Sequence, residues 1–205
     1  EFVDLGHDPV YTYEQALDKA SVVIDCTPSG NVNKNTTYKN YKDKLFIAQG
    51  SEKGFGMPYA LGVNDEKLLS TKENFLQVVS CNTHNISCLI DTLSSLGKVS
   101  FGDFVCMRRA NDVSQDKGFI SSPTVNKHTD AQCGTHHARD VVDLFTTVGK
   151  NINVFSSAIK LNTQYMHTLR FAIGVQGQYS VKDVLRELQK NKMIALTYKK
   201  SSNKI

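Results

Sequence analysis

The sequence predicts a chain in two parts: an α/β portion built on a parallel sheet, then an α+β portion in which a mainly antiparallel sheet faces helices. Three observations carry this. Ser21–Cys26, Lys44–Gln49 and Phe75–Ser80 are largely apolar runs of strand length, the habit of parallel strands covered on both faces. A helical or polar stretch separates each run from the next, and strand, helix, strand, loop, strand is the rhythm of a parallel sheet. Beyond residue 97, strand-like segments follow one another without strict alternation with helices, which is the α+β habit.

Taken in order, residues 12–20 read as a short helix capped by Thr12. The first strand breaks at Thr27–Gly30, a turn by composition. The polar stretch 31–43 reads as a frayed helix plus loop. The third strand runs straight into a helix whose apolar face is Ile86, Leu89, Ile90, Leu93 and Leu96, at helical spacing. Asn82 or Thr83 is the expected cap, because a short polar side chain accepts the orphan amides of a first turn. Lys98–Met107 alternates as a strand, residues 141–145 suit a short helix, and 153–159 and 164–173 read as further strands. Residues 180–189 form a helix opened by a Ser-x-x-Asp capping pattern. Met193–Tyr198 looks like the start of another strand. We place the boundary near residue 80, giving parts at 1–80 and 81–205. The chain starts in mid-pattern and ends in a Lys/Ser/Asn tail, so it reads as a piece of something longer.

Hydrophobic content of 40% and charged content of 21% suit a packed globular protein and argue against disorder. The net charge of +4, from 24 basic and 20 acidic residues, is spread along the chain apart from the tail. That excludes the dense basic stripe of a nucleic-acid binder and favours small anionic ligands. No apolar run approaches membrane-spanning length. The five cysteines are odd in number and widely spaced, which points to a reducing, cytoplasmic setting. None shows the close pairing of a zinc site, so no metal is expected.

Cys81 falls where a strand ends and a helix begins. Unpaired amides and the positive dipole end favour a thiolate there, and a thiolate is a strong nucleophile toward a carbonyl carbon. The plainer reading is a buried cysteine acting as a small hydrophobe. His136 and His137, ahead of the short helix, could line a pocket from a loop. With Thr135, Arg139 and helix amides they would make an anion site; otherwise they belong to a solvated loop. His167 sits inside an apolar strand, where a buried imidazole is either a satisfied structural group or a base tuned for proton transfer. Arg108 and Arg109 are a surface pair or a phosphate fork.

Four segments together resemble the archaeal-type (type II) glyceraldehyde-3-phosphate dehydrogenases. Val78-Val-Ser-Cys-Asn-Thr83 is similar to their catalytic cysteine segment. Met107-Arg-Arg-Ala-Asn-Asp112 is similar to their Arg-Arg-x-x-Asp segment, Thr135-His-His-Ala-Arg-Asp140 to their double-histidine loop, and Tyr165-Met-His167 to the strand bearing their catalytic histidine. Ile24–Gly30 and Ala48–Lys53 resemble their coenzyme-side turns. The resemblance implies a partial dinucleotide-binding, Rossmann-like domain at 1–80 and a catalytic and oligomerisation domain at 81–205.

It further implies Cys81 as nucleophile and His167 as general base. Ser80, Asn82, Thr83, His136 and His137 would bind substrate, and Thr27, Gly50, Ser51 and Arg109 would bind NAD or NADP. The expected substrates are glyceraldehyde 3-phosphate and inorganic phosphate, and the expected assembly is a homotetramer or homodimer. The chain departs from the family at His84-Asn85, in place of Thr-Gly, and at Ala138-Arg139, in place of Gly-Pro. It has no G-x-G-x-x-G turn, so weak coenzyme binding and little or no activity are expected of these 205 residues alone. A related semialdehyde dehydrogenase and a non-catalytic homologue are the alternatives.

Overall fold

The computed structural model describes residues 2–50, 52–110, 121–163, 165–201 and 204. In chain order its elements are α1 (Tyr13–Lys19), β1 (Val22–Asp25), α2 (Gly30–Thr36), β2 (Leu45–Gln49), β3 (Met57–Tyr59), α3 (Asp65–Ser70) and β4 (Phe75–Val78). Then come α4 (Cys81–Ser94), β5 (Val99–Arg108), β6 (Thr124–Val125), α5 (His136–Thr146), β7 (Val154–Lys160), β8 (Thr168–Val175) and α6 (Val181–Lys190). Two units result: Glu1–Met57 with Thr71–Val78, and Pro58–Ser70 with Val79–Ile205. A parallel sheet in one and a mixed sheet in the other give the α/β class that the apolar runs foretell.

In the first unit β1, β2 and β4 pair in parallel, Ile24 beside Ile47 and Ala48 beside Gln77. α1 starts at Thr12, whose Oγ1 accepts from Gln15 N while Gln15 Oε1 accepts from Thr12 N; this reciprocal box satisfies two orphan donors. The core lies on one face of the sheet. Phe46 stacks between Tyr38 and Phe75, with ring centroids 4.4 and 5.3 Å apart. Both-face burial does not hold for β1, where Val22 and Ile24 are exposed: β1 is an edge strand with its apolar side chains on the open face. Asp25, buried at the end of β1, accepts from Thr27 N, Thr27 Oγ1, Asn33 Nδ2 and Tyr38 Oη. Burial alone would raise its carboxyl, but these bonds outweigh it and hold the group below the usual range.

In the second unit the strand order is β6-β7-β5-β8. β5 pairs in parallel with β7 and antiparallel with β8, and β6 pairs antiparallel with β7. The sheet is therefore mixed, because α5 lies in the crossover that a parallel β5–β7 pair requires. Gly102, Phe104 and Cys106 of β5 and Val154, Ser156 and Ala158 of β7 alternate inward and are buried. Ile86 and Ile90 of α4 and Ala138, Val141 and Phe145 of α5 complete this core, each large side chain contributing roughly 1.5–3 kcal/mol by burial.

Three expectations are corrected here. The helix expected at 141–145 begins at His136, because Thr135 is extended (φ −103°, ψ 165°) and starts it earlier. Strand β8 begins at Thr168, opposite Met107, so residues 165–167 precede it. Met193–Tyr198 forms no strand; apolar content without a partner edge leaves the segment irregular. It is tied back instead: Asn191 Nδ2 donates to Thr92 Oγ1 at 2.7 Å, and Asn191 Oδ1 accepts from Met193 N. α6 carries the foretold capping box between Ser180 and Asp183. Among the described residues no helix is long and apolar enough to cross a membrane.

Candidate active site

β4 ends at Val78 and α4 begins at Cys81, so two residues make the turn from strand to helix. The cap is Ser80, not Asn82 or Thr83. Ser80 is extended (φ −63°, ψ 157°) and its Oγ accepts from Thr83 N at 3.3 Å. The apolar run ends one residue earlier than the expected cap requires, and Asn82 and Thr83 are then helical and buried. Cys81 becomes the first helical residue and is exposed, in the turn whose amides have no intrahelical partner.

Cys81 Sγ lies 3.6 Å from His167 Nδ1. His167 stands just before β8, half-buried, rather than inside a strand. Asn82 joins it to a second imidazole: Asn82 Oδ1 is 3.3 Å from His167 Nδ1, and Asn82 Nδ2 is 3.4 Å from His137 Nε2. In this amide orientation the carbonyl oxygen only accepts and the amide nitrogen only donates. The Asn82 oxygen can therefore accept from His167 Nδ1 once that nitrogen has taken a proton, while His137 accepts on Nε2 and carries its proton on Nδ1. Burial pushes the His137 imidazole down to about 3, with the charges of His136, Arg108 and His167 adding to the effect. It is neutral across the physiological range, as its acceptor role requires. His137 Nδ1 is buried and has no hydrogen-bond partner among the described residues.

His136 and His137 open helix α5 rather than lying on a loop, with ring centroids 4.0 Å apart and inclined by 48°. Of the anion site expected from Thr135, Arg139 and the helix amides, both side chains have other partners. Thr135 Oγ1 is 2.6 Å from Ser156 Oγ, and Ser156 Oγ accepts from Ala138 N. Arg139 Nε donates to Asp130 Oδ2 at 2.7 Å. That bond, with others from backbone amides, holds the Asp130 carboxyl well below the usual range. Arg108 and Arg109, at and just past the end of β5, are half-buried rather than a surface pair.

In the first unit Thr27 and Gly50 follow the carboxyl ends of β1 and β2, where parallel sheets receive ligands. Thr27 Oγ1 is engaged by Asp25, Ser29 N and Asn33. Gly50 has φ +73° and open space around its α-carbon. Ser51 lies outside the described residues.

His84 and Asn85, singled out from sequence only as departures, share a cavity of about 240 Å³ with Cys81, Cys88 and Met193. His84 is anchored there, Nε2 lying 3.0 Å from the Leu61 carbonyl oxygen. The spacing from residue 81 to 84 and 85 was the available signal, since residues three and four apart share a helix face. Nothing in the sequence announces Met193. Cys106, by contrast, is a core thiol that burial pushes up to about 11.

No family model matches the chain. It is similar along most of its length to curated archaeal glyceraldehyde-3-phosphate dehydrogenases. It is 29% identical to that of Sulfolobus acidocaldarius over 198 residues, which is 96% of this chain and 55% of the relative. It is 28% identical to that of Methanocaldococcus jannaschii over 197 residues, 94% of this chain and 55% of the relative. The chain thus spans about half the length of the curated relatives it matches. Among solved structures, a probable aspartate-semialdehyde dehydrogenase from Pseudomonas aeruginosa superposes with a TM-score of 0.65 at 13% identity, covering 86% of this chain and 63% of that one. This likeness is one of fold.

Proposed function

We propose that the protein oxidises glyceraldehyde 3-phosphate to an acyl phosphate, with NAD or NADP as coenzyme, through a thioester on Cys81. The observation that carries this reading is the 3.6 Å approach of Cys81 Sγ to His167 Nδ1 at the start of α4. The matched relatives bear the name of that activity. We assign the protein to the cytoplasm and to a homotetramer or homodimer on the same resemblance.

Chemically, His167 Nδ1 takes the thiol proton, the Asn82 oxygen accepts from the Nδ1–H so formed, and Cys81 adds as thiolate to the aldehyde carbon, forming a C–S bond. The carbonyl oxygen takes up the electron pair and receives the proton from His167. A bound nicotinamide supplies the hydride acceptor. As the hemithioacetal becomes a thioester, His167 recovers the hydroxyl proton. A phosphate oxygen then attacks the thioester carbonyl, the C–S bond breaks, and the thiolate returns with release of the acyl phosphate. Asn82 and the neutral His137 are buried, so we give them the positioning of His167. Ser80 and Thr83 set the helix start, and His136 borders the substrate. Thr27, Gly50, Ser51 and Arg109 are the residues we assign to the coenzyme. Gly50, open around its α-carbon, admits a ligand, while the glycine-rich pyrophosphate turn is not in this sequence.

The reverse acylation needs no coenzyme and tests the reading on the 205 residues as they stand. Treated with acetyl phosphate, Cys81 should gain an acetyl group that hydroxylamine removes, visible by intact and peptide mass spectrometry. Cys81→Ser should not be acylated. Acylation spread evenly over the five cysteines would remove the reading. A semialdehyde substrate shares the thioester step and would separate from the phosphate-bearing one by turnover comparison.

A further inference from the structure

We propose that the cavity beside His167 is a phosphate subsite, with Lys199 and Lys200 as its cationic groups. The proposal deepens the function proposed above and rests on it. The cavity measures about 660 Å³, and its polar lining is Asn85, His167, Thr168, Lys199, Lys200 and Ser201. Apolar side chains of α4, of β8 and of the residue before His167 fill the remainder. Among the described residues no carboxylate lines the cavity.

Its position matters as much as its charge. His167 borders this cavity with one part of its ring, and its Nδ1 meets Cys81 Sγ. Asn85, one helical turn beyond Cys81, lines both this cavity and the smaller one that contains the thiol. An aldehyde carbon bonded to Sγ would therefore have its remaining substituent at the edge of the lysine-lined space. A dianionic phosphate suits two ammonium groups flanked by hydroxyl and amide donors.

Four of the residues first expected at an anion or substrate site have partners elsewhere. Asn82 and His137 are 2% and 3% exposed and bond to each other. The Ser80 hydroxyl is committed to Thr83 N, and Arg139 to Asp130. Lys199 and Lys200 come from the segment after α6, which Asn191 fastens to Cys88 and Thr92 of α4. The fastening holds that segment close to the face of α4 that carries Asn85.

The test is protection of Cys81 from iodoacetamide by inorganic phosphate, on the whole 205-residue chain. For each protein the readout is the ratio of Cys81 alkylation rates without and with phosphate, with exposed Cys26 as internal control. Phosphate should slow Cys81 and leave Cys26 unchanged. The Lys199→Gln/Lys200→Gln double variant should need about three to ten times more phosphate for the same protection, the range expected for two exposed ion pairs. Acetate at equal ionic strength should give no protection. Three results overturn the proposal: no protection of the parent chain, an unchanged ratio in the double variant, or equal protection by acetate. If His136→Gln abolishes protection while the lysine variant keeps it, the phosphate sits at the double histidine instead. Slow alkylation of Cys81 with no phosphate present would strike at the proposed function itself, so the two failures are told apart.

Discussion

Cys81 Sγ and His167 Nδ1 are 3.6 Å apart although 86 residues separate them in the chain. The turn from β4 into α4 presents the sulfur, and the register of β8 against β5 fixes where the residue before β8 arrives. A nucleophile at a helix start and a base within reach are the two parts that acyl transfer requires.

Replacing His167 by Gln should slow acetyl transfer to Cys81 by about 10²-fold or more, the scale of a lost general base, with the circular dichroism spectrum unchanged. An unaltered rate would take His167 out of the chemistry.

Asn82 Oδ1 faces His167 Nδ1 and so helps to fix the ring beside Cys81. Asn82→Ala should therefore slow acetyl transfer to Cys81, because the base loses a positioning partner. It also leaves the buried His137 acceptor unpaired, at a cost of about 1–3 kcal/mol in urea unfolding. A stability loss with no change in the acetyl-transfer rate would give Asn82 a structural role only.

His137 is held at about 3 by burial and neighbouring charge, below the ordinary imidazole value of about 6.5. Between those values the unfolded chain binds a proton that the folded chain excludes. Stability should thus fall as pH drops through this window, by up to about 1.4 kcal/mol per unit. His137→Asn should flatten the slope; identical slopes in both proteins would show that the group titrates normally.

Gly134 has φ +78°, and a β-carbon there would run into the Ser156 carbonyl oxygen and the Phe155 ring. Gly134→Ala should cost at least about 1–3 kcal/mol and shift the start of α5 that places His136 and His137. Unfolding by urea reads the first effect, and a reduced Cys81 acylation rate reads the second. Unchanged stability would contradict the strain.

Much of this was legible in the sequence where signals are local. The runs at 44–49 and 75–80, the Thr12 cap, the Ser180 box and the cysteine at a helix start each follow from a few neighbouring residues. What was hidden depends on distant partners. Ser80, Asn82 and Thr83 are all competent caps, and only the end of the apolar run, set by pairing with β2, selects Ser80. Whether 193–198 is a strand turns on a sheet edge that the segment never meets. The parallel β5–β7 pair makes the sheet mixed, yet its alternation looks the same in either direction. At the site, Cys81 and His167 were legible as chemistry-bearing residues. The bridge through Asn82 was not, because a side-chain amide between two imidazoles leaves no periodic trace.

The central claim is that Cys81 is activated by its place at the start of α4 beside His167. The most direct measurement is the iodoacetamide rate at each of the five cysteines at neutral pH, read by peptide mass spectrometry. Cys26 and Cys81 are both exposed, so access does not separate them. Cys81 should react about tenfold faster or more than Cys26, as an activated thiol does. Equal rates at the two would contradict the account.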